Sequence, residues 1–586
     1  TFTPSEWNYS LLDGFTITRG MATGLDTDEN YGGGVFIQTG ALFINNCLIT
    51  NNQADDRAGG IYVDGGSVFM VNTIVLDNTI EDLQSGGPGF EDWGGNGGGA
   101  YILDGTIVGR DVVFDNNSAT SGGGVYATNS EIWMSSCEFK NNDCFNHGAG
   151  MYASSGTLEL YGSVFDNNRA TTGIIGHGAG GGLFASEAVT TIKDTTFVNN
   201  MSGGTGGGLC FEEISTNALS QTAFLDRCNF QLNESFEGAA FGAALWPSTS
   251  NKTFVANSLF AGNNGPSTIM GCFGSRFTNC TIANNFNLGA SAAAYGAGNF
   301  ENSIVWGNVG LYDRSNIFNQ INGSLNLDRC IIDLWNSNYE GTFDNNAVFN
   351  LPVIFRSERG PDGILQTGDE DYRVLPDSMA IDFGDNTLFD YPDSTTDLDG
   401  NARIQDDPFT DDWDSGATPI IDMGCYEYAP QEIGVPGYRI WNGGSDGLFS
   451  DDSDWLPAEA PSINDRAYFS VNPDLWPWIA FNGNRTIRQL EVTNGFIQLY
   501  LANNTLTLTE TNEASIRVGS AHENFATLIC LYGNIVAQRA DISDNGAFGI
   551  NSSSTVTTSN GMVIRDGGYL YGGGTVVGNV YNSGRI

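Results

Sequence analysis

The chain has 586 residues, 78 of them glycine, and carries 68 acidic against 23 basic side chains, a formal net charge of −45. An acidic excess of that size, with only three lysines (Lys140, Lys193 and Lys252), argues against nucleic acid and anionic membrane surfaces as partners, because both repel it. No run of 18 apolar residues is present to cross a membrane as a helix, and the glycines recur at fixed places, which argues against disorder.

Residues 1–20 read as an interior coil of a repeat array entered part way. From Tyr31 to about Asn308 one pattern returns, shown clearly by Gly122-Gly123-Gly124-Val125-Tyr126 through Cys137-Glu138-Phe139-Lys140-Asn141-Asn142. Glycines lead into an apolar run, a polar turn and a second apolar run. A small residue, one large apolar side chain and an Asn then close the unit. The closing residues are Asn52, Asn78, Asn117, Asn142, Asn168, Asn200, Asn233, Asn263, Asn285 and Asn308, at spacings of 22 to 39. Three residues before them stand Ile49, Val75, Phe114, Phe139, Phe165, Phe197, Phe230, Phe260, Ile282 and Val305. A unit this short buries too little apolar surface alone and must stack on its neighbours. The pattern predicts an all-β protein whose first domain, residues 1–345, is a right-handed parallel β-helix. Strands about 4.8 Å apart would then hold Asn52, Asn78, Asn117, Asn142, Asn168 and Asn200 in a hydrogen-bonded ladder.

Cys47, Cys137, Cys228, Cys280 and Cys330 occupy a position that other units fill with Thr73, Val112, Ser163, Thr195, Ser258 or Ser303, so they read as small, buried and free. Pairing among Cys144, Cys210, Cys272, Cys425 and Cys530 stays open. Leu11-Leu12-Asp13-Gly14-Phe15-Thr16-Ile17-Thr18-Arg19-Gly20 resembles a line found in secreted bacterial right-handed parallel β-helix repeat proteins.

Long insertions fall between the closing Asn and the next glycine run. One, Ile80 to Asn96, carries Glu81, Asp82, Glu91, Asp92 and Trp93; another runs from Arg169 to Gly178. Stacking should gather them on one side, either as a ligand-binding edge or as solvated decoration. His147 and His177 precede successive glycine runs near Asp143 and Cys144, which offers either a transition-metal site or two unrelated surface imidazoles.

Residues 346–430 read as a capping region. Asp371-Tyr372-Arg373-Val374-Leu375-Pro376-Asp377, Asp397-Leu398-Asp399-Gly400-Asn401-Ala402-Arg403 and Ile421-Asp422-Met423-Gly424-Cys425-Tyr426-Glu427-Tyr428 resemble, in that order, the closing region of secreted β-helix proteins of the choice-of-anchor kind. That resemblance implies secretion or surface attachment and no reaction. Independently, Asp397, Asp399, Asn401, Asp411, Asp412 and Asp414 could hold Ca²⁺, or form an Asp-rich turn bonded to its own backbone. Residues 431–437 read as a linker. Residues 438–586 read as a second, less regular β-solenoid, probed by Thr505-Leu506-Thr507-Leu508-Thr509. Its Ile440-Trp441-Asn442-Gly443-Gly444 opening and Gly568–Ile586 tail resemble autotransporter-like, glycine-rich surface repeats, in which the line continues further.

Polysaccharide-cleaving enzymes use parallel β-helices, but fold alone carries no activity. A hydrolase needs paired carboxylates in a cleft, and a lyase needs a cationic base beside bound Ca²⁺. The exposed strand positions read as mostly Ser, Thr, Asn, Gly and Ala, and Arg follows no neighbouring-coil pattern with Asp. The expected function is therefore a non-enzymatic, extracellular structural protein, a rod or filament subunit. An adhesin or glycan-binding module is the alternative, with Trp93, Trp133 and Trp246 as candidate platforms, and a polysaccharide lyase or hydrolase is third. The expected partners are other copies, head to tail through the unblunted coils at each end, other surface proteins, or a polysaccharide.

Overall fold

A computed structural model describes most of the chain. Outside the described residues lie 1–8, 24–29, 81–94, 172–177, 213–221, 236–241, 247–251, 271–274, 288–292, 297, 311–320, 324–325, 333–341, 344–347, 350–352, 354, 358–363, 375–377 and 389–393. So do 406–418, 429–437, 442, 445, 457, 472–475, 512–513, 520–524, 544 and 566. The chain divides into two compact units. Thr1–Val353, Asp382–Ile404 and Asp412–Glu427 form the first, and Ile354–Ile381, Gln405–Asp411 and Tyr428–Ile586 the second. The capping region expected at 346–430 is thus shared between the units, and the expected linker lies outside the described residues.

The first unit is a parallel β-helix. Among the described residues its three parallel sheets hold 21, 13 and 11 strands, here sheets A, B and C. One coil shows the path. Val125–Ser135 runs in sheet A, Glu138–Lys140 in sheet B and Asp143–Cys144 in sheet C. Ser136 and Asn141 make the two corners between them at φ +53° each. Asn tolerates this left-handed conformation better than most residues, which is why Asn51, Asn116, Asn167 and Asn199 stand at the second corner of other coils. The third corner leads into the glycine run.

Inside, the large apolar positions form one column. Phe114, Phe139, Phe165, Phe197, Phe230 and Phe260 are fully buried, with successive ring centroids 4.5 to 5.1 Å apart and planes within 11°. The Asn residues form a second column. Each Nδ2 from Asn52 to Asn285 donates to Oδ1 of the Asn one coil on, at 2.7 to 3.0 Å. The same Oδ1 accepts the backbone N–H of the Asn one coil back. The second Nδ2 proton goes to the carbonyl of the large apolar residue one coil back, as from Asn142 to Phe114 at 2.9 Å. Two donors and two acceptor sites are therefore satisfied in a fully buried site.

The position read as merely small is a third column with a polar duty. Ser163 Oγ accepts the N–H of Cys137 at 3.2 Å and donates to the carbonyl of Tyr161 at 3.2 Å; Ser258 and Ser303 repeat this geometry. Thiols substitute there, with Cys47 Sγ donating to the Asn45 carbonyl at 3.1 Å. Nine cysteines are described, all buried and unpaired, which settles Cys144, Cys210, Cys425 and Cys530 as free; Cys272 lies outside the described residues.

The glycines follow from how closely these columns pack. Gly122 sits at φ +62°, and a Cβ on Gly124 would lie 2.4 Å from the Gly150 carbonyl oxygen and 3.2 Å from Asn142 Nδ2. Gly124 and the ladder residue Asn142, 18 apart in sequence, are neighbours.

The second unit is also a parallel β-solenoid. Met562–Ile564, Tyr569–Gly572 and Thr575–Val577 lie on its three faces in one coil. Trp441, Phe449, Trp455, Phe469 and Phe481 start its core in edge-to-face and stacked contacts. Among the described residues two strand pairings of this unit run antiparallel, Phe355–Ser357 with Asp371–Val374 and Tyr438–Trp441 with Trp455–Leu456.

Candidate functional site

Alternation along sheet A sends every second side chain outward, and register stacks those side chains into columns. Leu11, Phe43, Phe69, Val108 and Trp133 are direct partners on successive strands. Leu11 is 56% and Trp133 37% exposed, and the three between are half-buried. The column continues through Glu159 and Thr191 to Phe224 and Phe254. Ala41, Ser67, Thr106 and Glu131 flank it on one side, and Asn45, Val71, Arg110 and Ser135 on the other. Tyr161 stands 6.2 Å from Trp133, ring to ring, and its hydroxyl donates to Glu159 at 3.0 Å. The expectation of small polar residues at outward positions is thereby corrected. In a strand whose inward residues are also apolar, outward aromatics hide within the hydrophobic run.

A second outward column lies nearer the glycine corner. Phe36, Tyr62, Tyr101, Tyr126, Tyr152 and Phe184 stack with centroids 4.4 to 5.5 Å apart. Arg57 lies over the rings of Tyr31 and Tyr101 at 5.3 and 5.2 Å. Tyr62 and Tyr101 are only 2% and 5% exposed, and burial pushes the Tyr101 hydroxyl up to about 12. Tyr62, Tyr101 and Phe184 are sealed within the stack, while Tyr126 and Tyr152 are half-buried and Phe36, at its edge, is exposed.

The insertion residues Glu81, Asp82, Glu91, Asp92 and Trp93 lie outside the described residues, as do His177, Asp411, Asp412 and Asp414. The flanks of the insertions, Ile80 with Gly95 and Thr171 with Gly178, fall at the same corner of their coils. His147 stacks on Phe184 at 4.9 Å. Cys144 packs inward against Ala149 and Ala170, whereas its strand neighbour Asp143 is exposed and pairs in register with Arg169. Adjacent strand residues face opposite ways, so Asp143 and Cys144 do not converge. Among the described residues no group of three or more His, Cys, Asp or Glu side chains is placed to hold a metal.

Asp397 and Asn401 are brought together, with Asp399 beside them. Asp397 Oδ1 accepts the N–H groups of Asp399 and Asn401 at 3.0 and 2.7 Å, and Oδ2 accepts Glu427 N–H and Asn401 Nδ2 at 2.9 and 3.2 Å. Arg403, fully buried, donates to the carbonyls of Asp422 and Gly424 and lies 3.6 Å from the Glu427 carboxylate. The motifs around 397–403 and 421–427 thus lock one another. They lie along the flank of sheet B, where Cys425 N–H donates to Thr281 Oγ1 at 3.0 Å and Gly424 N–H to the Asn302 carbonyl at 2.8 Å. Ser394 Oγ donates to the buried Asp226 at 2.5 Å. Asp226 also accepts from Asn257 and pairs with Arg227, which bridges back to Asp194. Arg276 pairs with Glu301 one coil on. Arg therefore does follow a cross-coil pattern with acids, a second correction. These pairs lie at the end of the sheet A strands and their corner into sheet B, and Ser394 ties the covering segment to them.

Lys140 lies in register between Asp115 and Asp166, and its ammonium is bonded to Glu138, which raises its pKa. A lysine held protonated is poorly suited to act as a base.

No protein-family model matches the sequence, and no curated protein matches it. Among solved structures, similarity is found to pectate lyase Pel9A, with a TM-score of 0.30 and 11% identity over 71% of this chain and 87% of that one. The PL6 family alginate lyase AlyGC gives a TM-score of 0.19 and 10% identity over 97% and 78%. A mutant of that enzyme gives 0.21 and 11% over 94% and 82%. Values this low transfer no activity; the parallel β-helix stands on the strand pairings themselves.

Proposed function

We propose that the chain is a non-enzymatic extracellular structural protein whose stacked coils act as a stiff surface element. The observation that carries this reading is the buried Asn ladder, continuous from Asn52 to Asn308, in which every amide is held on both sides. Such a column resists shear between coils without any demand from catalysis. The acidic surface and the closing-region resemblance support display outside the cell, where salt screens the charge. Buried thiols are consistent with that setting. Burial pushes Cys137 and Cys530 up to about 11 and Cys330 and Cys425 up to about 12, so little thiolate is present to oxidise.

The test is an assay of the purified chain against polygalacturonate, alginate and neutral glucans, with and without Ca²⁺. Unsaturated and reducing ends should stay at the level of the untreated polymers. Sustained release of either from any of these polymers would overturn the reading.

A further inference from the structure

We propose that the outward column of sheet A from Leu11 to Trp133 is a binding strip for an uncharged polysaccharide chain. It goes beyond the structural role above and stands whether or not that role holds. The strip is one side chain wide. Leu11, Phe43, Phe69, Val108 and Trp133 succeed each other coil by coil, over roughly 19 Å at the usual strand spacing. A stable protein partner needs about 800 Å² on each side, and a file of five side chains does not offer that. A linear glycan does not need it. Its rings expose apolar C–H faces that stack on aromatic and aliphatic side chains, while hydroxyls at the ring edges seek hydrogen bonds.

Both demands are met here. Phe43, Phe69 and Trp133 supply ring surfaces, with Leu11 and Val108 filling the file. Ser67, Thr106 and Glu131 on one side and Asn45, Arg110 and Ser135 on the other supply donors and acceptors. Glu159, oriented by the Tyr161 hydroxyl, stands where the apolar file ends. Charge decides between glycan classes. Asp13, Glu131 and Glu159 border the strip, Arg110 is the one cation among the flanking residues named, and the chain carries −45 overall. A uronate polymer is repelled by that field; an uncharged one is not.

The experiment is affinity electrophoresis of the full chain through native gels containing hydroxyethylcellulose, xyloglucan, galactomannan or polygalacturonate. Retardation is expected in at least one uncharged polymer and not in polygalacturonate. Trp133→Ala and Leu11→Ser should each weaken the retained interaction, Trp133→Ala by about tenfold, in chains whose cooperative melting shows them folded; Leu11→Ser, at a side chain 56% exposed, should melt close to the unaltered chain. Ile74→Ser, which removes an exposed apolar residue from sheet B, should leave retardation intact. Migration unaffected by all three uncharged polymers, retention equal in Trp133→Ala, Leu11→Ser and the unaltered chain, or stronger retention by polygalacturonate would each overturn the proposal.

Discussion

Asn142 shows how one side chain can be irreplaceable without touching a ligand. Its Oδ1 receives two protons from Asn117, and its own two amide protons go to Asn168 and the Phe114 carbonyl. Asn142→Ala strands the Asn117 donors in the buried core and should cost about 1–3 kcal/mol in chemical denaturation. Asn142→Asp should cost more at neutral pH, since it keeps the acceptors, loses both donors and buries a charge. Asp226 poses the opposite problem. Burial holds its carboxyl above the ordinary range despite the Ser394 and Asn257 hydrogen bonds and the Arg227 charge. A raised folded pKa means the folded state favours the proton, so the group's contribution is present below the unfolded pKa and lost as pH rises through the folded one. Asp226→Asn removes that loss. The melting temperature of the variant relative to the unaltered chain should therefore rise as pH climbs from the ordinary carboxylate range, and a flat difference would contradict the assignment.

At the scale of strands and corners, the glycine run, the Phe column and the Asn ladder form one packing unit. Gly150 shows the contact, as a Cβ there would fall 2.8 Å from Phe165 Cδ1 and 3.2 Å from Asn168 Cγ. Gly124→Ala should force neighbouring coils apart and lower stability by about 1–3 kcal/mol in denaturant melts, the usual range for overpacking. An exposed Gly400→Ala, whose added Cβ meets nothing within 4 Å, isolates the cost of backbone conformation alone at φ +87°. This unit was legible in the sequence because its members recur at a fixed offset, and any period of that length demands stacking. Of the outward aromatics only Trp133 was picked out from the sequence, as a candidate platform; the columns around it were not. In Val125-Tyr126-Ala127 both faces of the strand are apolar, and alternation disappears when inside and outside share a chemistry. The covering segment was legible as a motif but not in its place. Nothing local in Ser394 or Cys425 points to Asp226 or Thr281, which stand 168 and 144 residues away.

For the molecule as a whole, the net charge of −45 sets the dependence on ions. Self-repulsion within the fold falls as salt shortens the screening length, about 10 Å at 0.1 M. Melting temperature should thus rise with NaCl. Both Asp397 oxygens are engaged by protons of the chain itself. Ca²⁺ and Mg²⁺ at matched ionic strength should therefore raise melting alike in differential scanning fluorimetry. A gain specific to Ca²⁺ would instead indicate a cation held with the help of Asp411, Asp412 and Asp414.

The ladder also has a sense of direction. Every Oδ1 from Asn78 to Asn308 looks back toward the preceding coil, and every Nδ2 from Asn52 to Asn285 looks forward. The side-chain dipoles are consequently in phase along the axis, and each polarises the next in a low-dielectric interior. Turning one amide over would set oxygen against oxygen on one side and N–H against N–H on the other. The column cannot reverse even as a whole, because in each coil Oδ1 also meets a backbone N–H and Nδ2 a backbone carbonyl, so the sense seen at Asn52, where the Gly20 N–H meets Oδ1 at 2.9 Å, is fixed again at every step to Asn308.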